Sequence, residues 1–348
     1  MSVCLCMIVR DEAAIIQRCL ESCRPVIDTW VIIDTGSTDG TQQIVTDFFR
    51  EADIPGVLQE REWVNFGHNR SELMEAARGK ADWLLLLDAD HTIEHADMAY
   101  VNTLNGADSY MLKHDGDLTY WIKRLVKGDR KWWYVGSTHE YITTDDQPHP
   151  EVQDRTDALV LKEHYDGGRR AEKFERDLEL LRADNQDDPR VAFYLANTLR
   201  DLGQIQEAVG AYKRRTMMGG WDQEIFYSML EAGKLSDDIA LLFAAWSYRP
   251  ERAEPLYELA WRFRREQHWA AGFLVAERGL GIPLSGDTLF VHRWMYEWGI
   301  EFEYSIAAYW AGYPDLALEA CDRLLAKERL PEIYRVQTEK NRHFCIMA

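Results

Sequence analysis

The sequence predicts an α/β unit built on a doubly wound, mostly parallel sheet, followed by an all-α unit of repeated helical hairpins. Three observations carry that prediction. Strand-like and helix-like patterns alternate through the first half. Two apolar runs, Trp30-Val31-Ile32-Ile33 and Trp83 to Leu87, each lead directly into an acidic motif, Asp34-Thr35-Gly36-Ser37-Thr38-Asp39-Gly40 and Asp88-Ala89-Asp90. The second half is helical in pattern, with small residues recurring where helices would turn or touch. A chain of 348 residues is long enough for two domains. The expected division is residues 1–168 and 169–348, with Gly167-Gly168 as the junction.

Val3 to Val9 is apolar enough for a buried strand, and Glu12 to Cys23 places Ile15, Ile16, Cys19 and Leu20 at helical spacing. Trp30 to Ile33 forms the next strand, and Ser37 or Thr38 is the expected cap of a helix running through Phe49. After a variable stretch, Asn69 to Arg78 reads as a helix stopped by Gly79, and Trp83 to Leu87 as a central strand. Shorter β-like pieces follow at Ser109 to Lys113, Tyr120 to Val126, Trp132 to Val135 and Ala158 to Leu161, expected to extend or cover the sheet.

In the second half, Phe193 to Tyr212, Leu256 to Leu280 and Ala307 to Ala320 each read as two helices joined at a turn. Leu202-Gly203 and Ala311-Gly312 put a small residue at the turn, and Ala208 and Ala317 allow close packing inside a hairpin. The spacing resembles tetratricopeptide repeats of about 34 residues.

Composition limits the partners. The formal net charge is -19, concentrated in the first half. Such a surface repels phosphates, which argues against nucleic acid or an anionic membrane as the primary partner. No run is long enough for a membrane span, and no signal peptide stands at the start, so a cytoplasmic location is expected. The six cysteines form no C-x-x-C; Cys4 and Cys6 share a strand face, Cys19 and Cys23 a helix face, and all are expected as buried reduced thiols. No G-x-G-x-x-G and no P-loop motif occurs.

The two acidic motifs carry the chemistry. Ligands of open α/β sheets bind at the carboxyl ends of the strands. A carboxylate pair there suits a hard divalent cation and the diphosphate that it neutralises. That combination belongs to nucleotide-sugar chemistry.

The ordered set Cys6-Met7-Ile8-Val9-Arg10-Asp11-Glu12, Val31 to Thr41, Asn69-Arg70 and Leu87-Asp88-Ala89-Asp90 resembles family 2 glycosyltransferases of the GT-A fold. His139-Glu140 and His164-Tyr165 are similar to the subgroup with an attached tetratricopeptide-like domain, of which bacteriocin peptide S-glycosyltransferases are members. The resemblance implies Asp90 as metal ligand, Asp88 on the ribose or on the metal through water, and His164 as third contact. It implies Mn²⁺ or Mg²⁺ as the ion, a histidine favouring Mn²⁺. It implies Asp34 at the nucleobase or ribose, Val9 and Arg10 flanking the base with Glu12 beside them, and Arg70 on phosphate or base. Glu140 is the implied acceptor base, with Asp115 and Asp117 as competitors. His91 departs from the subgroup, which has another acid after Asp-x-Asp; on a helix His91 and His95 would share a face. The basic cluster Lys123, Arg124, Lys127, Arg130 and Lys131 reads as a solvated hairpin, with a face toward the diphosphate or an acidic acceptor as the other reading.

The expected function is therefore metal-dependent, inverting transfer of a sugar from a nucleotide donor, UDP-linked, to a polypeptide. Two alternatives stand beside it: transfer to a saccharide, small molecule or nucleic acid, and a repeat-based interaction protein with a vestigial transferase half. Oligomeric state is left open.

Overall fold

The computed structural model describes residues 1–94, 98–104, 106–114, 120–145, 147–164, 166 and 173–347. These fall into two compact units, Met1–Asp184 and Asn185–Ala348.

The first unit is organised by β1 (Val3–Val9), β2 (Thr29–Asp34) and β4 (Trp83–Leu86), almost wholly buried apolar strands. They are parallel, and Val9 lies opposite Asp34 in the register. Parallel strands covered on both faces need such continuous apolar runs. β3 (Gly56–Glu60) adds the edge beyond β2, where its mixed, half-exposed sequence is tolerated. The sheet continues past β4 through β7 (Tyr120–Lys127), β6 (Ser109–His114), β10 (Gln153–Glu163) and β5 (His91–Glu94), giving eight strands in the order β3-β2-β1-β4-β7-β6-β10-β5. Pairings β4–β7, β7–β6 and β10–β5 are antiparallel, so the sheet is mixed.

Helices α1 (Ile16–Cys23), α2 (Thr41–Glu51) and α3 (Phe66–Ala77) connect the parallel strands. Ile16, Cys19, Leu20 and Cys23 give α1 a fully buried face, as their spacing requires. Asn65, rather than a residue nearer Asn69, begins α3: its side chain accepts from the His68 amide at 2.8 Å. Nor do Ser37 and Thr38 cap α2. Gly40 at φ 96° occupies that place, and the two hydroxyl residues turn to the 10–12 loop instead. β8 (Trp132–Val135) and β9 (Tyr141–Thr144) form a separate antiparallel pair whose connecting turn, 136–140, lies against the start of α3. Gly67 makes this approach possible, since a Cβ there would stand 2.1 Å from the Gly136 carbonyl oxygen. Helix α4 (Lys173–Ala183) clusters with this unit.

The second unit is helical: α5 (Pro189–Asp201), α6 (Ile205–Arg215), α7 (Asp222–Ser236), α8 (Ile239–Tyr248), α9 (Glu254–Arg265), α10 (Trp269–Leu280), α11 (Ile300–Trp310), α12 (Pro314–Leu325) and α13 (Glu332–Met347). Each packs on its sequence neighbour, and α9 also meets α7 and α11, the arrangement of stacked hairpins. Gly203 (φ 74°) and Gly312 (φ 91°) make the expected turns, and Ala208, Ala276, Ala308 and Ala317 are buried at helix contacts. Asp188 caps α5 ahead of Pro189, and Asp238 caps α8. Buried ion pairs Arg215–Glu224 and Arg252–Glu254 tie turns to helices. All six cysteines are free and buried, with the Cys4 and Cys6 sulfurs 3.8 Å apart. Among the described residues no helix is long and apolar enough to cross a membrane.

Candidate active site

Because β1, β2 and β4 run in parallel, their carboxyl ends set Arg10, Thr35 and the Asp88-Ala89-Asp90 segment along one edge of the sheet. A cavity of about 710 Å³ opens there. Of the residues singled out in the sequence, Val9, Arg10, Glu12, Arg70, Asp88, Asp90, His91 and Arg124 line it; Asp34, Glu140 and His164 do not. Asp115 and Asp117 lie outside the described residues, as do His95, Tyr165 and Gly167-Gly168.

The loops after β1 and β2 are fastened together. The Asp11 amide (φ 55°) donates to Ser37 Oγ at 2.9 Å, and the Thr38 amide donates back to Asp11 Oδ1 at 2.9 Å. Asp39 accepts from the Ala13 amide and from the Thr41 amide and hydroxyl, while the Glu12 amide donates to Thr41 Oγ1. Burial would push the Asp39 carboxyl up, but these donors, the Thr41 hydroxyl first, hold it below the ordinary value.

Asp34 is fully buried. Its Oδ1 accepts from the Gly36 and Ser37 amides and from Gln42 Nε2 at 2.8–3.0 Å, whereas Oδ2 is buried with no hydrogen-bond partner. A buried carboxylate oxygen without a donor is costly. It is an acceptor that a ligand N–H or O–H would satisfy, although Asp34 itself is not among the cavity-lining residues.

Four charges form a chain across the site. Glu140 Oε1 lies 2.7 Å from Arg70 Nε, Arg70 Nη2 lies 2.5 Å from Asp88 Oδ1, and Asp88 Oδ2 lies 2.9 Å from Arg124 Nη2. Burial alone would push the Asp88 carboxyl up, but Arg70 and then Arg124 hold it well below the usual carboxylate range. Burial opposes the charge of Arg70 as well, and Asp88 and Glu140 more than offset it, raising its pKa. His91 accepts the Asp88 amide on Nδ1 at 3.2 Å; burial, then the Arg124 guanidinium, pushes the imidazole down to about 3. His91 is therefore neutral, and it begins a strand rather than sharing a helix face.

Asp90 differs from Asp88. Burial first, then the carboxylates of Asp88 and Glu163, push its carboxyl up to about 6. The β5–β10 pairing returns the chain to this point: the His164 amide donates to the Asp90 carbonyl at 2.9 Å, while His164 Nε2 lies 2.9 Å from Thr92 Oγ1. Burial, then Arg18, lowers the His164 pKa. Among the described residues no group of three or more His, Cys, Asp or Glu is arranged as a cation cage. Magnesium-like ions are commonly held by one or two carboxylates, with substrate phosphates and water completing the shell. The crowded negative charge at Asp90 fits that mode, with Asp90 as the leading protein donor.

Arg124, singled out only as one member of a basic cluster, and Glu163, not singled out, both line the cavity. Arg124 sits on β7 one residue before Leu125, which pairs with Leu85 of β4, so strand alternation carries its side chain to Asp88. The solvated-hairpin reading fails for its neighbours too, because Lys123 pairs with Glu151, and Lys127 and Arg130 with Asp108. Glu163, 3.3 Å from His114 Nε2, reaches the cavity at the end of β10. Its only signal in the sequence is its position before His164.

Residues 4–100 match the family model described as Glycosyl transferase family 2. The match lies wholly within the first unit. This glycosyltransferase match spans every strand that delivers Arg10, Asp34, Asp88 and Asp90 to the cavity edge. The chain is 27% identical over 248 residues to a TPR repeat-containing protein of Synechococcus elongatus, covering 66% of this chain and 60% of that protein. It is 24% identical over 229 residues to the SPbeta prophage-derived glycosyltransferase SunS of Bacillus subtilis, covering 60% of this chain and 51% of SunS. The chain thus spans little more than half the length of these curated relatives. The crystal structure of S. aureus TarS superposes with a TM-score of 0.43 and 12% identity, covering 72% of this chain and 55% of TarS.

Proposed function

We propose that the chain is a metal-dependent, inverting glycosyltransferase that moves a sugar from a nucleoside diphosphate donor, UDP-linked, to a polypeptide acceptor. The observation that supports this most is the pair Asp88 and Asp90 at the end of β4, inside the family 2 match, with Asp90 pushed up to about 6 beside Asp88 and Glu163. A bound Mn²⁺ or Mg²⁺ neutralises the leaving diphosphate, and Asp90, Asp88 through water and His164 are the residues that would hold it.

The chain's own residues do the rest. The buried, unpaired Oδ2 of Asp34 accepts from the base or ribose, with Val9, Arg10 and Glu12 around it. Arg70 and Arg124 bring positive charge to an acidic protein at the place where the diphosphate must be received. The acceptor nucleophile attacks the anomeric carbon from the side opposite the diphosphate. Its proton passes to Glu140, and the electrons of the broken C–O bond leave with the nucleoside diphosphate, so the centre inverts. Arg70 Nε, 2.7 Å from Glu140 Oε1, holds that carboxylate in place. The stacked hairpins of the second unit offer an extended surface suited to a polypeptide acceptor.

The test is a panel of UDP-, GDP- and TDP-sugars assayed for hydrolysis and transfer with Mn²⁺, Mg²⁺ or chelator. Mn²⁺-dependent turnover of UDP-sugars is the expected result. No turnover of any donor, or turnover indifferent to chelator, rejects the reading or its metal. In the same assay Glu140→Gln is expected to retain donor affinity and lose about 100-fold or more in kcat, the scale of general-base loss. An unchanged kcat transfers the base role to Asp115 or Asp117.

A further inference from the structure

The second unit holds a cleft of about 330 Å³ formed by α7, α9 and the segment before α11. Its walls combine three aromatic side chains, Tyr257, Trp261 and Trp294, with Lys234, Glu258 and His292. Tyr257 and Trp294 meet edge to face at 4.9 Å, and the Arg265 guanidinium lies 4.6 Å from the Trp261 ring centre. None of this belongs to the glycosyltransferase match, which ends at residue 100.

The polar groups of the cleft restrict what it can take. His292 Nε2 is buried with no hydrogen-bond partner, and burial, then Lys234, keeps the imidazole neutral. Lys234 donates to Glu231 at 2.8 Å and stands 3.8 Å from Glu258, whose carboxyl burial pushes up. Among the described residues no hydrogen bond reaches the Tyr257 hydroxyl or the indole nitrogens of Trp261 and Trp294. A purely apolar ligand would bury these edges unpaired, which is unfavourable. A phosphate would meet Glu258, and a cation would meet Lys234. What remains is a neutral ligand with an apolar face for the rings and several hydroxyls for the polar edges.

We propose that this cleft is a saccharide-binding site, taking one or two neutral sugar rings through contact with the aromatic walls and hydroxyl pairing to His292, Glu258 and the indole edges. The volume, near the lower end of ligand pockets, fits that size. Such a site would hold a glycan in the second unit whether or not the first unit transfers sugar, so its failure leaves the reading of the first unit intact.

The experiment is calorimetric titration of the full chain with maltose, cellobiose, lactose and N,N′-diacetylchitobiose, and with N-acetyl-tyrosinamide as an aromatic, non-sugar probe. Saturable binding of at least one disaccharide is expected, weakened by about tenfold or more in Trp261→Ala, as for one lost ring and hydrogen-bond contact. His292→Ala should weaken it similarly, and circular dichroism checks that both variants keep their helix content. The proposal is overturned if no disaccharide binds, if binding is the same in both folded variants, or if only N-acetyl-tyrosinamide binds. Loss of binding in the His292 variant alone, should Trp261→Ala unfold, still supports the site.

Discussion

Replacing Asp90 with Asn is expected to cut donor turnover by about 100-fold or more, the scale of losing a positioned Lewis acid, while making the protein more heat-stable at pH 7. The two effects share one cause. The Asp90 carboxyl is pushed up to about 6 by burial and by Asp88 and Glu163. A raised carboxyl means that the folded state binds the proton more tightly than the unfolded chain. Stability therefore falls as pH rises through the window from the ordinary carboxylate value to about 6, and stays lower above it. Asn carries no charge and escapes that loss, so the gain in Tm, measured in chelator, should be present at pH 7 and vanish near pH 4. In the wild type, cation-dependent donor binding should weaken as pH falls below about 6, because the proton then competes for Asp90. Full activity in Asp90→Asn with the metal requirement unchanged would move the ion to other residues.

Arg70→Met is expected to lower stability by about 3–5 kcal/mol at pH 7, the usual cost of leaving buried charges without their partner. Arg70 is buried and joins Glu140 to Asp88, so its loss strands two carboxylates, one of which keeps Arg124. The pH dependence has a definite sign. In the wild type the Asp88 carboxyl is held well below its ordinary value, so its contribution is present above that value and is lost only as pH falls through the depressed pKa. In Arg70→Met the Asp88 carboxyl, left with Arg124 alone, takes up its proton at higher pH, and the deficit should shrink on acidification. Urea unfolding of both proteins at pH 7 and pH 4.5 measures it. A deficit below about 1 kcal/mol at pH 7, the range of exposed ion pairs, would show that the chain of charges is not structural.

The parallel half of the sheet was legible because buried strands need unbroken apolar runs, and β1, β2 and β4 have them. β3 was missed because an edge strand, Gly56–Glu60, can be mixed in polarity and half exposed. β5 was missed because its four residues carry no pattern beyond alternation and are defined by pairing with β10, far along the chain. The same limit applies to side chains. Asp88 and Asp90 are identical in sequence terms, yet one is held by two arginines and the other crowded by carboxylates. That difference comes from Arg70 on α3, Arg124 on β7 and Glu163 on β10, and no local motif encodes the arrival of the last two at the β4 end. Arg124 looked like one member of a solvated cluster for the same reason. The capping roles given to Ser37 and Thr38 show a different failure: the residue types were right for capturing an amide, but the amide belonged to Asp11, on another loop.

The fastening of those two loops has a consequence for how the cavity edge can move. Ser37, Thr41 and Asp39 accept from the Asp11, Glu12 and Ala13 amides, and Asp11 accepts from the Thr38 amide, so four hydrogen bonds cross the gap between the β1 and β2 ends. Neither loop can swing out without breaking the bonds that satisfy the other, and a half-open state leaves amides on both sides unpaired. Opening is thereby cooperative, and the lip formed by residues 10–13 and 36–41 behaves as one rigid body with a single open–closed equilibrium instead of two independent flexible segments.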